Sequence, residues 1–155
     1  MQCINGTVAW VSSKDGSRQL SADEMERVKR VPARYGIIKV TEAPERMKVI
    51  GVEVIGGRQA YVVATRIDAN RAKSYFFDTE TGLLLREITT TETMLAPLPE
   101  QVDFEDYRDV DGVKLPFTIR TSDVAAFSTA RRRLTEIKLN VAVEDGAFNM
   151  PPSTR

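Results

Sequence analysis

From Met47 to Phe148, apolar and polar residues alternate in short runs separated by turn-forming clusters. The spacing predicts strands near 47–55, 59–67, 73–78, 83–93, 101–109, 113–121 and 127–140, with a short extended piece over 141–149. The punctuation is Gly56-Gly57, Asp68-Ala69-Asn70, Thr79 to Gly82, Pro97-Leu98-Pro99, Asp111-Gly112 and Asp145-Gly146. Strands joined by such short loops must be antiparallel neighbours, because a parallel crossover needs about a dozen residues.

The first part of the chain reads differently. Thr7 to Ser12 alternates Val8 and Trp10 against Ala9 and Val11, which predicts a strand ended by the turn Lys14-Asp15-Gly16-Ser17. Ser21 and Glu24 then have the spacing of a capping box, with Leu20 placed to act as a staple. Met25 and Val28 fall on one face of the helix this starts, and Pro32 stops it. Residues 33–42 read as either helical or extended. The expectation is a mainly β (α+β) fold: one curved antiparallel meander with a helix against it.

The stretch FEDYRDVDGVKLPFTIR (104–120) carries the densest acidic chemistry. Val113, Leu115, Phe117 and Ile119 point one way, and Lys114, Pro116, Thr118 and Arg120 the other. Asp111-Gly112 suits a type I′ turn, whose two central residues both need positive φ. Pro116 marks an edge or an irregularity, since it cannot donate to a ladder. On the partner run, Val102 and Phe104 share a face opposite Asp103, Glu105, Tyr107 and Asp109. Glu105 and Asp109 then lie across from Lys114, Thr118 or Arg120, where opposite charges form cross-strand pairs. The glycine and acidic spacing does not fit an EF-hand. The stretch reads as a hairpin, with no metal and no cofactor.

Composition narrows the chemistry further. The 155 residues contain no histidine, which removes Ser-His and Cys-His pairs and histidine-bearing zinc sites. A single cysteine, Cys3, admits neither an internal disulfide nor a CxxC motif. A lipid anchor on Cys3 would need an apolar stretch before it, and only Met1 and Gln2 precede it, so it reads as a plain thiol. Twenty-two basic and twenty-two acidic residues cancel, so no bulk field attracts nucleic acid. No apolar run reaches the roughly 20 residues of a membrane-spanning helix. Arg131-Arg132-Arg133 reads as a solvated edge guarded by charge, and Gly51, Gly56 and Gly57 as a bulge and a turn. A strand that begins almost at the first residue fits either a cytoplasmic domain over 1–155 as it stands or, the reading preferred, one domain cut from a longer chain.

The phrases YFFDTETGLLLREITTTET (75–93), QVDFEDYRDVDGVKLPFTIR (101–120) and LTEIKLNVAVEDGAFNMP (134–151) resemble the bacterial outer-membrane lipoprotein-sorting family, which comprises LolA, LolB and the sensor domain of RseB. NGTVAWVSSKDGSRQLSADEMERVK (5–29) is similar to that family's central strand and lid helix. The likeness is greatest to soil-bacterial relatives in which such a segment can end a larger extracytoplasmic protein. The resemblance implies an open half-barrel with one or two helices on its concave face. It also implies a periplasmic or otherwise extracytoplasmic setting, an apolar cavity for a lipid or lipoprotein acyl chain, and no catalysis.

Bulky groups on both faces of Phe76-Phe77 and Leu83-Leu84-Leu85 fit either a plain core or such a cavity. Its expected lining is Trp10, Met25, Val28, Phe77, Leu85, Phe104, Phe117 and Ile119. Three functions stand: a lipid-holding accessory domain, a structural or protein-interaction module without a ligand, and a hydrolase using the acidic residues of 100–111. An unpaired sheet edge at the start of the chain further predicts self-association through strand pairing.

Overall fold

The computed structural model describes residues 2–5, 8–14, 16–29, 46–124, 127–144 and 146–151. Residues 33–42, the segment read as helical or extended, lie outside them. The fold is mainly β, with ten strands and one helix among the described residues. Two compact units divide it: Met1–Pro44 with Val141–Arg155, and Glu45–Asn140.

The first unit contains a three-stranded antiparallel sheet in the order β1 (Gln2–Asn5), β2 (Val8–Ser13), β3 (Gly16–Gln19). The alternation of 7–12 becomes β2, in which Ala9 and Trp10 are buried. Strands β1 and β3 carry no clear alternation, and they form because β2 offers both of its edges. Helix α1 (Ala22–Lys29) begins at the expected capping box. The Ser21 amide donates to Glu24 Oε2 at 3.0 Å, and the Glu24 amide donates to Ser21 Oγ at 3.3 Å. Arg18 of β3 grips the same carboxylate with two bonds of 2.7 and 2.9 Å. That hydrogen bond from Arg18, joined by the Ser21 amide, pulls the Glu24 carboxyl down to about 2.

The second unit is one seven-stranded antiparallel sheet in the order β10-β9-β8-β7-β6-β5-β4, so every strand pairs with its neighbour in the chain. The strands are β4 (Lys48–Ile55), β5 (Arg58–Arg66), β6 (Arg71–Asp78), β7 (Leu84–Thr91), β8 (Leu98–Val110), β9 (Val113–Asp123) and β10 (Ser128–Arg133). The sheet is open, with β4 and β10 as its outer strands. Its order is the meander expected from the turn signals. Asp111 and Gly112 both have positive φ, 50° and 82°, as a type I′ hairpin requires. The β4–β5 register shifts between Val49 and Gly51, where a bulge was expected. Pro116 faces Tyr107 beside Asp106, whose φ of 55° interrupts the β8–β9 ladder.

Two expectations come out shorter than written. The run over 127–140 is a strand only as far as Arg133, with a last bond from the Leu134 amide to the Phe117 carbonyl. The period-two phase slips between Leu134 and Ile137, which turns the apolar positions onto the other face. Over 141–149 the described residues form no strand: 141–144 are irregular and 146–148 are turns, closed by bonds from the Ala147 amide to the Glu144 carbonyl and from the Asn149 amide to the Gly146 carbonyl.

Candidate functional site

Strand register sorts the side chains of the large sheet onto two faces. Pairing Tyr61 with Phe77, Tyr75 with Glu87, Glu87 with Val102 and Phe104 with Ile119 places all of these on one face. Phe117 joins it two residues from Ile119, and Leu84 joins it opposite Phe77. Tyr75, Leu84, Val102, Phe104, Phe117 and Ile119 are buried, and Phe77 is half-buried. The Tyr75 and Phe77 rings stack with centroids 6.1 Å apart. Arg108 lays its guanidinium over the Phe117 ring, 4.4 Å from the centroid. At the far end of this face Tyr61 and, on β4, Val49, Val52 and Val54 are exposed.

Four of the eight residues expected to line a cavity, Phe77, Phe104, Phe117 and Ile119, are thus brought onto one face. Leu85 is not among them. It packs with Ala60, Val62 and Phe76, flanked by Ile55 and Ile88, on the opposite face. A register irregularity between Phe76 and Phe77 separates it from Leu84. Trp10, Met25 and Val28 belong to the first unit. Trp10 is buried in β2, its indole N–H donating to the Phe148 carbonyl at 3.0 Å. Met25 is half-buried on α1, and Val28 is a residue of the same helix whose side chain lies outside the described residues.

The face that carries Leu85 also carries a charge network that the hairpin reading reached only in part. Asp103 is 4% exposed and accepts from Arg86 Nε at 2.6 Å, Arg120 Nη2 at 2.9 Å and Gln101 Nε2 at 2.9 Å. Burial pushes its carboxyl up, but the hydrogen bonds from Arg86, Gln101 and Arg120 and the Arg86 charge outweigh that and hold it below the usual range. Arg120 also approaches Glu105 at 3.7 Å, and Arg131 of β10 meets Glu105 at 3.3 Å. Asp109 bridges Lys114 at 3.5 Å, the cross-strand pair expected of a hairpin. Asp106 is tied to Arg108 at 2.6 Å, which lowers its carboxyl as well. On the apolar face, Glu87 is buried and takes Lys73 at 2.9 Å.

Asp78 is buried with its own partners at the β6–β7 turn. It accepts from the Glu80 and Thr81 amides at 2.9 and 2.8 Å, from the Thr81 hydroxyl, and from Arg58. Burial pushes its carboxyl up, and those donors bring it below the usual value. Tyr107 donates its hydroxyl to the Leu84 carbonyl at 2.7 Å, and burial pushes that phenol up to about 12.

An open pocket of about 590 Å³ lies where β8, β9 and the end of β10 meet, among Glu105, Asp106, Arg108, Phe117, Thr118 and Arg131. Four of its charged residues are matched in the Arg108–Asp106 and Arg131–Glu105 pairs, and Arg133 also lines it. Compared with protein-family models, curated proteins and solved structures, the chain matches none of them.

Proposed function

We propose that this chain is a non-catalytic binding domain that works outside the cytoplasm and holds a lipid or acyl chain against the apolar face of its large sheet. The observation that carries the reading is the continuity of that face. It runs from Phe117 and Ile119 on β9, through Phe104 and Val102 on β8 and Leu84 on β7, to Tyr75 and Phe77 on β6 and Tyr61 on β5. The face is buried at the β8–β9 end and reaches solvent at Tyr61, Val52 and Val54. A long hydrocarbon chain laid along the part that water still reaches, from half-buried Phe77 across Tyr61 to Val52 and Val54, gains free energy by covering it. The resemblance to the lipoprotein-sorting family supports the same ligand class and an extracytoplasmic setting. Fractionation of the native host that recovers the chain only with cytoplasmic proteins would refute that setting.

The acidic segment supports structure better than hydrolysis. Asp103 holds Arg86 and Arg120, Asp106 holds Arg108, and both carboxyls are pushed toward stronger acidity, the opposite of what a general acid needs near neutral pH.

The test is native mass spectrometry of the purified protein, followed by organic extraction and uptake of a fluorescent long-chain fatty acid. A co-purifying lipid near one per chain, or saturable probe uptake weakened at least tenfold by Phe77→Asp, is the expected result. An apo mass with no probe uptake overturns the reading. The second reading, a protein-interaction module, draws on the exposure of β4.

A further inference from the structure

The two edges of the large sheet are built in opposite ways. Strand β10 carries Arg131, Arg132 and Arg133, and charge of this kind keeps an edge from pairing with another chain. Strand β4 has no such run of like charge. Its eight residues include no proline, seven of them are exposed, and Val49, Ile50, Val52 and Val54 are 66%, 64%, 52% and 67% exposed. One side of β4 bonds to β5, and among the described residues no strand pairs with the other. Exposed β-branched residues on an unpaired edge are the usual template for strand addition.

We infer that β4 pairs antiparallel with β4 of a second copy of this chain, joining two seven-stranded sheets edge to edge. The occupant follows from the strand's own pattern. About a two-fold axis through the middle of β4, Lys48 falls opposite Glu53 of the second copy and Val49 opposite Val52, and the symmetry repeats each pair. Facing residues must also share a face. Lys48 and Glu53 do so, because their β5 partners Ala64 and Ala60 lie four residues apart. Val49 and Val52 lie together on the other face, opposite Val63 and Tyr61. Five residues separate Lys48 from Glu53, and in a regular strand that spacing would put them on opposite faces. The bulge between Val49 and Gly51 supplies the extra residue that brings them into phase. A bulged edge ordinarily discourages pairing, but a symmetric partner meets it with its own bulge at the axis.

The pairing sets opposite charges across one face and valine against valine across the other, each a favourable cross-strand combination. This edge is a different one from the strand edge at the start of the chain that the sequence suggested.

The experiment is sedimentation equilibrium of the full chain over a wide concentration range, with circular dichroism as the control for folding. The expected species is a reversible dimer of twice the 17.3 kDa chain mass. Glu53→Lys sets lysine against lysine twice and weakens the dimer by about tenfold. The charge exchange Lys48→Glu with Glu53→Lys restores it. Val52→Lys, which buries a charge against Val49 of the second copy, leaves a monomer with an unchanged spectrum. A chain that stays monomeric at the highest concentration overturns the inference. So does a dimer that tolerates both Glu53→Lys and Val52→Lys, because it must then use another surface.

Discussion

Asp103→Asn is the substitution that bears most directly on how the large sheet is held. It keeps the shape of the side chain and removes the charge on which Arg86 and Arg120 converge. Removing one partner of a buried ion pair costs about 3–5 kcal/mol, because the other charge is left uncompensated. Arg86 and Arg120 are not fully dry, with side chains 24% and 45% exposed, and Arg120 retains Glu105 at 3.7 Å. Water and that second carboxylate screen part of the loss, so the expected cost is about 2 kcal/mol. With a urea m value near 1.5 kcal/mol/M, the midpoint followed by far-UV circular dichroism falls by roughly 1.3 M at unchanged m.

The double variant Arg86→Met with Asp103→Leu supplies the control. It replaces the paired charges by apolar groups of similar size and should recover most of the lost stability. The pH dependence has a fixed sign. The folded Asp103 carboxyl lies below its ordinary value of 3.8, so its contribution is complete above that pH and is lost as pH falls through the folded value. Asp103→Asn should therefore flatten the acid limb of the stability curve. A cost below about 0.5 kcal/mol, the range of ordinary surface changes, would show that Asp103 does not hold the arginines as described.

Three further outcomes follow from the same structure. Phe76→Ala empties the centre of the cluster with Ala60, Val62 and Leu85 and should cost about 3–4 kcal/mol in urea unfolding; a cost under 1 kcal/mol would mean the cluster is not packed. A Cβ at Gly112 meets no neighbouring atom within 4 Å, so only the φ of 82° opposes Gly112→Ala, and a thermal melt should report a loss of about 1–2 kcal/mol. Burial, aided in Tyr75 by the Glu87 charge, pushes the phenols of Tyr75 and Tyr107 up to about 12. Each is raised above the unfolded value of 10.0, so the stability they contribute is complete below pH 10 and is lost as pH rises toward 12. The double variant Tyr75→Phe with Tyr107→Phe should lose that alkaline slope, and a slope that persists unchanged would assign it to other groups.

The meander was legible because local signals and the final sheet agree. Gly56-Gly57 form the turn they were read as, Asp111-Gly112 take the positive φ they were read to take, and the period-two runs between them became neighbouring strands. The helix start was legible for the same reason, since Ser21 and Glu24 act within one turn. What escaped was anything decided across the sheet. β3, with the polar sequence GSRQ, becomes a strand only because β2 pairs with it. Leu85 departs from the face of Phe77 and Phe104 through a register irregularity between strands, and no count along a single strand reveals that. Asp103 was half visible. Counting back from the Asp111-Gly112 turn pairs it with Arg120, but Arg86 reaches it from β7 through a separate register.

The strictly sequential order of β4 to β10 bears on how the sheet is reached from the unfolded chain. Each new strand closes only a short loop before it meets its partner, so the entropy lost at each step stays small. Sandwiches and closed barrels of similar size must instead join distant segments, and they fold slowly for that reason. This sheet can zip forward one hairpin at a time, with β8 and β9, the longest adjacent pair, as the natural seed. The large sheet is thus reached by local steps, and the time during which its strand edges stand bare is brief, whereas the first unit joins Trp10 to Phe148 across 138 residues and must wait for the end of the chain.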